Sequence, residues 1–229
     1  MERREFVKLC AASAAALAAP GVQANARPRL YEPAKLVDPK GAPLRAAAIP
    51  AERNLIFNYP YAGTPCFLLK LDRPVQPVKL TTADRTPYEW SGGVGAGRSI
   101  VAYSAICAHK LTYPTREISF ISYRAEKTPG SRFASVIHCC SEHSQYDPAE
   151  GARVLAGPAP QPLAAILLEH DPRSDEISAV GTLGGEMFDE FFRKYAFRLQ
   201  LEGGNAHAAV AGTCVVRPLE DYCRQQVKC

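Results

Sequence analysis

Two short cysteine–histidine pairs constrain this chain more than any other feature of its sequence. Cys107 and His109 form a C-x-H pair, which we call the first hook, and Cys140 and His143 form a C-x-x-H pair, the second hook. Each hook follows a strand-like run and lies on a turn. Two neighbouring loops of this kind can present two thiolates and two imidazoles to one metal centre. The sequence therefore predicts that these four side chains hold a metal.

Two kinds of centre accept two cysteines and two histidines. One is a mononuclear zinc site, which would make the protein a zinc-stapled binding module without redox activity. The other is a 2Fe-2S cluster in which histidines replace two thiolates and raise the reduction potential. The order C-x-H and then C-x-x-H favours the cluster, and the colour of the purified protein distinguishes the two. Cys139 is the weaker candidate beside Cys140, because only Cys140 makes a C-x-x-H pair with His143.

The segment from about 92 to 170 resembles a Rieske iron–sulfur protein of the respiratory type. Three stretches carry the resemblance besides the hooks: the strand-like run 100–106, the loop 144–148 and the proline-containing loop 157–160. The resemblance implies a mostly β fold, an antiparallel barrel or sandwich with a cluster-binding subdomain. It also implies one Rieske-type 2Fe-2S cluster near one end of that fold, which transfers one electron at a time through exposed histidines.

The resemblance also assigns roles to individual residues. The implied cluster ligands are Cys107, His109, Cys140 and His143. Ser144 and Tyr146 match positions that donate hydrogen bonds to the cluster in relatives, and Pro158 lies in the loop that covers it.

The sequence departs from the Rieske pattern in three places. Thr112 and Glu142 occupy the positions of a disulfide that joins the two cluster loops in respiratory members. The interval between the hooks is longer than usual, which predicts an extra hairpin within 113–135. Tyr146 lies one residue closer to the second histidine than it does in relatives.

These departures predict a modest reduction potential. Without the inter-loop disulfide, and with Tyr146 displaced, we expect a midpoint in the lower or middle part of the range of roughly −150 to +300 mV that Rieske centres span. Protein-film voltammetry measures this midpoint directly. A value near the top of the range would contradict the expectation.

The first 26 residues are predicted to be a targeting segment. The run RREFVK at 3–8 is a twin-arginine motif, an alanine-rich stretch follows at 11–19, and ANA at 24–26 is a small-residue cleavage site. The apolar stretch is too short for a convincing membrane span, which needs about 20 predominantly apolar residues. We therefore expect export of the folded protein to the periplasm by the twin-arginine pathway, with membrane association only through a retained N-terminus.

The remaining cysteines predict a disulfide in the tail. Removing 1–26 would leave seven of the eight cysteines. An oxidising compartment favours disulfides, and an odd number leaves at least one cysteine with another role. We predict that Cys214 pairs with either Cys223 or Cys229. Cys139 is a candidate free thiol or a partner of Cys66.

Composition and patterning agree with a loop-rich β fold. Nineteen prolines, sixteen glycines and two methionines are more typical of strands and turns than of a helical bundle. We predict an extended leader at 27–53 and an iron–sulfur domain at 54–183, with a hairpin across 171–174. Residues 184–229 are predicted to form one helix, with aromatic residues at helical spacing on its buried face, and a cysteine-containing tail.

Several classes of function are excluded. A net charge of +4 without a long basic run gives no indication of nucleic-acid binding. A Rieske oxygenase needs a further iron site with two histidines and a carboxylate, and the remaining histidines, His138, His170 and His207, have no paired spacing. The glycine-rich run 92–97 lacks the order of a nucleotide-binding loop.

The predicted function is therefore one-electron transfer in the periplasm, to or from a cytochrome or a larger oxidoreductase subunit. The alternatives are a Rieske subunit of a quinol-oxidising cytochrome bc-type complex, or of a periplasmic oxidase of the arsenite oxidase type.

Overall fold

The computed structural model of the protein describes residues 26–202 and 204–229. The predicted targeting segment lies outside these residues except for Ala26, which donates a backbone hydrogen bond to the carbonyl of Pro87 at 2.9 Å. Among the helices within the described ranges, none is long and apolar enough to cross a membrane.

The fold is mostly β, as the sequence predicts, with 39% of the described residues in strands and 12% in helices. The strands are β1 (Arg29–Val37), β2 (Leu55–Asn58), β3 (Pro65–Lys70), β4 (Val78–Thr81), β5 (Pro87–Trp90), β6 (Ile100–Ser104), β7 (Ile118–Ser119), β8 (Ile121–Arg124), β9 (Val136–Cys139), β10 (Ser144–Asp147), β11 (Arg153–Ala156), β12 (Ala165–Asp171), β13 (Glu176–Leu183), β14 (Gly212–Val215), β15 (Arg217–Pro218) and β16 (Gln225–Gln226). The helices are α1 (Phe188–Leu201) and the single turn α2 (Leu219–Tyr222).

The largest sheet has eight strands in the order β14-β1-β13-β12-β6-β3-β2-β15. Its neighbouring strands are antiparallel except for β1 and β14, which run parallel. The two edge strands, β14 and β15, are separated in sequence only by Val216. One short segment of the tail therefore bridges both edges and bends the sheet into a near-barrel, which leaves little unpaired edge.

The predicted leader, 27–53, contributes a strand to this sheet. Its strand β1 lies between β13 and β14 and pairs with both. The predicted hairpin across 171–174 is formed by β12 and β13, which pair from Ala165 with Leu183 to Asp171 with Glu176.

Strand β3 shows why the central strands are apolar along their whole length. Phe67 and Leu69 point into one hydrophobic cluster, whereas Cys66 and Leu68 point into another on the opposite face of the sheet. Side chains alternate between faces along a strand, so a strand with a core on both sides has no polar face. The first of these clusters also holds both thiols of the candidate site described below.

A second sheet carries the second hook. It has four strands in the order β11-β10-β9-β8, all antiparallel. The predicted extra hairpin within 113–135 is not contained in that interval. Strand β8 lies inside the interval but pairs with β9, which begins after it, at Val136. Strand β7 pairs in parallel with β16 of the tail.

Helix α1 packs against the first hook. Its buried face presents Phe188, Phe191 and Phe192, and these side chains contact Ile106 and Leu111, on either side of the first hook. The aromatic periodicity thus serves packing, as predicted, and it supports the loop that carries Cys107 and His109.

Candidate metal centre

The first hook lies in a tight loop after β6. The backbone N–H of Cys107 donates to the carbonyl of Thr112 at 2.8 Å, and the N–H of Leu111 donates to the carbonyl of Cys107 at 2.9 Å. Leu111 adopts a φ of +61° while its side chain is buried against α1. Within this loop Cys107 is buried and His109 is half-buried.

The second hook is the loop of a hairpin. Strand β9 ends at Cys139 and β10 begins at Ser144, and these two residues are directly paired. His143 completes the reversal with a φ of +60°, and its side chain is exposed. A left-handed backbone is uncommon for a residue other than glycine and clusters at functional sites.

Two buried thiols, Cys107 and Cys139, face each other between the hooks. The interaction between the two side chains is the largest cause that lowers the pKa of Cys107 to about 6 and raises that of Cys139. The Tyr146 hydroxyl and the backbone N–H groups of His109 and Lys110 lower the pKa of Cys107 further. A lowered pKa favours the thiolate of Cys107, and thiolate is the form that binds metals.

Cys140, predicted to be the ligand of the second hook, is instead bonded to Cys229 in a disulfide with a Cα–Cα distance of 5.7 Å. The physical reason is strand alternation. Cys139 points into the core beside Cys107, so the next residue points away from it, toward the tail. A sulfur in a disulfide has no thiolate to offer a metal. The structure thus brings Cys139 to the site and removes Cys140 from it.

The predicted pairing of Cys214 with Cys223 or Cys229 is also wrong. Cys214 and Cys223 are free buried thiols in two different hydrophobic clusters, and Cys229 is taken by Cys140. Cys66 and Cys139 do not form a disulfide either. Both are free thiols, and they lie in two hydrophobic clusters on opposite faces of the large sheet.

Tyr146 contacts the candidate site directly. Its hydroxyl oxygen lies 3.2 Å from the Cys107 sulfur and accepts a hydrogen bond from the backbone N–H of Ala108 at 3.2 Å. Because the Tyr146 oxygen accepts the bond from Ala108, the Tyr146 hydroxyl can donate its proton to the Cys107 sulfur.

Two buried polar atoms at the site have no hydrogen-bond partner among the described residues: the Nδ1 atom of His109 and the Oγ atom of Ser144. An unpartnered buried polar group costs about 1–3 kcal/mol, so each implies a partner of another kind. The soft thiols of Cys107 and Cys139 together with an imidazole nitrogen suit zinc or an iron–sulfur cluster. The chemistry of these donors fits a metal centre of the predicted type, but the two thiols and a histidine are not among the described residues whose ligand atoms all lie within 4.8 Å of one another.

The loop 157–160 packs against the second hook. Gly157 has a φ of +88°, and a Cβ atom placed there would lie 2.5 Å from the carbonyl oxygen of His143 and from the Cα of Ser144. Pro158 is exposed on this loop, next to the hook. Only glycine allows the two loops to approach so closely.

Substituting Gly157 by alanine is expected to push the two loops apart. The free energy of unfolding should fall by about 1–3 kcal/mol, through a strained φ and a backbone clash. The matched control is Gly41→Ala, because Gly41 has a φ of +84° but a Cβ atom placed there would meet nothing within 4 Å. Chemical denaturation of both variants measures the difference, and equal losses of stability would contradict a role for the close approach.

An ion pair joins the two loops that carry the hooks. The Lys110 Nζ atom lies 2.7 Å from the Glu142 carboxylate, so the pair links the loops that carry the two hooks. Lys110 is the largest cause that lowers the pKa of Glu142, and His109 and His143 lower it further. Glu142 thus faces both histidines.

A third group of potential ligands lies behind the second hook. Atoms of His138, Cys140 and Cys229 all lie within 4.8 Å of one another. The two sulfurs are joined to each other in the disulfide, so this group offers only an imidazole to a metal. His138 is buried, and burial, with His143 and Arg124, lowers its pKa.

Sequence reasoning chose Cys140 because it gave most weight to C-x-x-H spacing. One signal in the sequence favoured Cys139 instead. It is strand alternation, since Ile137 and Cys139 share a face in the run before the hook.

No family model matches the chain. Among solved structures, the chain is similar to the soluble domain of the Rieske protein II (soxF) from Sulfolobus acidocaldarius. The TM-score is 0.44 and the sequence identity is 22%, over 62% of this chain and 84% of that chain.

Proposed function

We propose that this protein transfers single electrons by means of a Rieske-type 2Fe-2S cluster. The ligands we propose are Cys107 and Cys139, which supply the thiolates, and His109 and His143, which supply the imidazoles. The observation that carries the proposal is the buried pair of thiols, with the Tyr146 hydroxyl 3.2 Å from the Cys107 sulfur and, in the same loop as Cys107, a buried His109 nitrogen without a hydrogen-bond partner.

A cluster of this type, when bound, accepts and releases one electron at a potential that its histidine ligands raise. The protein residues tune and shield that exchange. Tyr146 supports negative charge on the Cys107 sulfur, because its hydroxyl lies within hydrogen-bond distance of that atom. The hydrophobic cluster around Cys107 and Cys139 excludes water from the thiolate side.

The histidine side of the site faces the surface. His143 is exposed and His109 is half-buried, whereas both thiols are buried. A redox partner can therefore approach the imidazoles, and we propose that electrons enter and leave there. The partner we propose is a cytochrome or a larger oxidoreductase subunit in the periplasm, reached after twin-arginine export.

The experiment that tests the function uses the full chain produced in a host with twin-arginine export. We expect a coloured protein with about two irons and two labile sulfides per chain, and a rhombic paramagnetic signal after reduction. A colourless protein with one zinc per chain would contradict the cluster and favour the zinc-stapled module. Locating the protein in membrane or periplasmic fractions, with the proteins that co-purify, tests the proposed compartment and partner.

The proposed ligand role of His143 is tested by comparing substitutions at two adjacent residues. His143→Asn is expected to abolish the rhombic signal, because it removes an imidazole from the proposed ligand set. Glu142→Gln, the control, keeps a side chain of the same shape and should retain the signal, since its carboxylate is paired with Lys110. Paramagnetic resonance and iron analysis measure both, and the reverse result would make Glu142 the ligand.

A further inference from the structure

A cavity of about 340 Å³ lies away from the thiols, between the end of α1, strand β2 and the tail. Its volume falls in the range of small-molecule sites, which is about 300–1,000 Å³. Ile56 on β2, Leu199 on α1 and Val210 before β14 form its apolar walls. The near-barrel closure by the tail creates this space, because 210–217 passes over β2 at a distance from α1.

Two arginines line the cavity without a partner. The guanidinium groups of Arg116 and Arg217 make no ion pair and no hydrogen bond with any side chain or carbonyl in 26–202 or 204–229. The one carboxylate in the lining is that of Glu202, which is bound to Arg198 at 2.9 Å. The cavity lining therefore carries two arginines without an ion pair and one carboxylate that is already bound to Arg198.

Tyr222 lines the cavity together with both arginines. Burial raises the pKa of the Tyr222 hydroxyl, Glu202 raises it further, and Arg116 and Arg217 both act in the opposite direction. Both arginines thus lie near one phenol that lines the same cavity. The hydroxyl makes no hydrogen bond to the described residues, so it is a third free donor.

We propose that this cavity binds a small organic carboxylate, with the carboxylate between Arg116 and Arg217 and the apolar body against Ile56, Leu199 and Val210. Guanidinium groups match the geometry of a carboxylate and bind it through paired hydrogen bonds. An inorganic oxyanion could bind the two arginines, but it would leave the apolar walls in contact with water, so an organic carboxylate fits the cavity better. The site does not depend on the proposed cluster.

The test is calorimetric titration of the full-length protein, with its native metal content, using benzoate as the probe. Benzamide has the same shape without the charge, and sulfate has the charge without the apolar body. We expect both to bind about ten-fold more weakly than benzoate, since a charge-assisted hydrogen bond and a buried ring each contribute on the order of one decade in Kd. Arg116→Gln and Arg217→Gln should each weaken benzoate binding by a similar factor.

The matched control is Arg173→Gln, which removes the same charge from an exposed turn outside the cavity. It should leave the Kd for benzoate unchanged. If the glutamine variants do not fold, Arg116→Lys and Arg217→Lys keep the charge, lose the paired hydrogen bonds and should also weaken binding. Absence of benzoate binding, equal binding of benzamide or of sulfate, or unchanged binding in the cavity variants would overturn the proposal.

Discussion

Cys139→Ser is expected to abolish the visible absorption and the rhombic paramagnetic signal, and to reduce the iron content from about two per chain to near zero. Cys139 is buried opposite Cys107, and each thiol is the largest cause of the other's shifted pKa. Serine at this position cannot supply a thiolate. The measurement is iron and sulfide analysis together with paramagnetic resonance of the reduced protein.

The matched control for this prediction is the double variant Cys140→Ser, Cys229→Ser. It removes the two sulfurs of the disulfide together, so neither is left as a stray thiol near the second hook. The double variant should retain its iron and its signal. If it loses the cluster while Cys139→Ser keeps it, the ligand of the second hook is Cys140, as the C-x-x-H spacing alone indicates.

Cys229→Ser is expected to lower the free energy of unfolding by about 4 kcal/mol, because the disulfide closes a long loop and restricts the unfolded chain. The two cysteines are 89 residues apart in sequence. Without the bond, the end of the tail is held mainly by the two-residue pairing of β16 with β7 and by Arg124, which donates to the carbonyl of Val227. Denaturant unfolding under oxidising conditions measures the loss.

Cys223→Ser provides the control for the tail. Cys223 is a free thiol whose sulfur donates to the carbonyl of Gln225 at 2.9 Å, and a serine hydroxyl can make the same bond. Its effect should be about 1 kcal/mol or less. A reductant should destabilise the wild type as much as Cys229→Ser does and have no further effect on that variant. Free thiols at both Cys140 and Cys229 in the oxidised wild type would contradict the prediction.

The predictions for Cys139 and for the disulfide distinguish loss of the cluster from loss of folding stability. The double variant lacks the disulfide, so it should unfold at lower denaturant concentration and still hold its cluster when folded. Cys139→Ser should lose the cluster while its disulfide stays intact. We therefore propose two functions for one pair of adjacent cysteines, because one sulfur faces the core and the other is bonded to the tail.

The mostly β fold, the hairpin across 171–174 and the helix at its aromatic repeat were predictable from the sequence. These features depend on local periodicity, in which side chains alternate along strands and recur every three or four residues along α1. The placement of Cys107 and His109 in a loop after a strand was predictable for the same reason. The involvement of Tyr146 was implied only by the resemblance, because its distance from the second hook departs from the Rieske pattern.

Other features depend on contacts between residues far apart in sequence. The role of 27–53 as a paired strand, the closure of the large sheet by β14 and β15, and the cavity with Arg116 and Arg217 all require the tail to return across the core. No local pattern encodes such a path, because it is set by which apolar faces can be buried together.

The sequence by itself determined a mostly β scaffold and placed two cysteine–histidine pairs on loops that follow strands. Only the tertiary structure decided which of the two neighbouring cysteines reaches the candidate site. Cys139 lies on the core face of β9 with Cys107, while Cys140 lies on the other side, where the tail delivers Cys229. The physical reason is that a one-residue step along a strand reverses the direction of the side chain, and only the packed core shows which direction is inward.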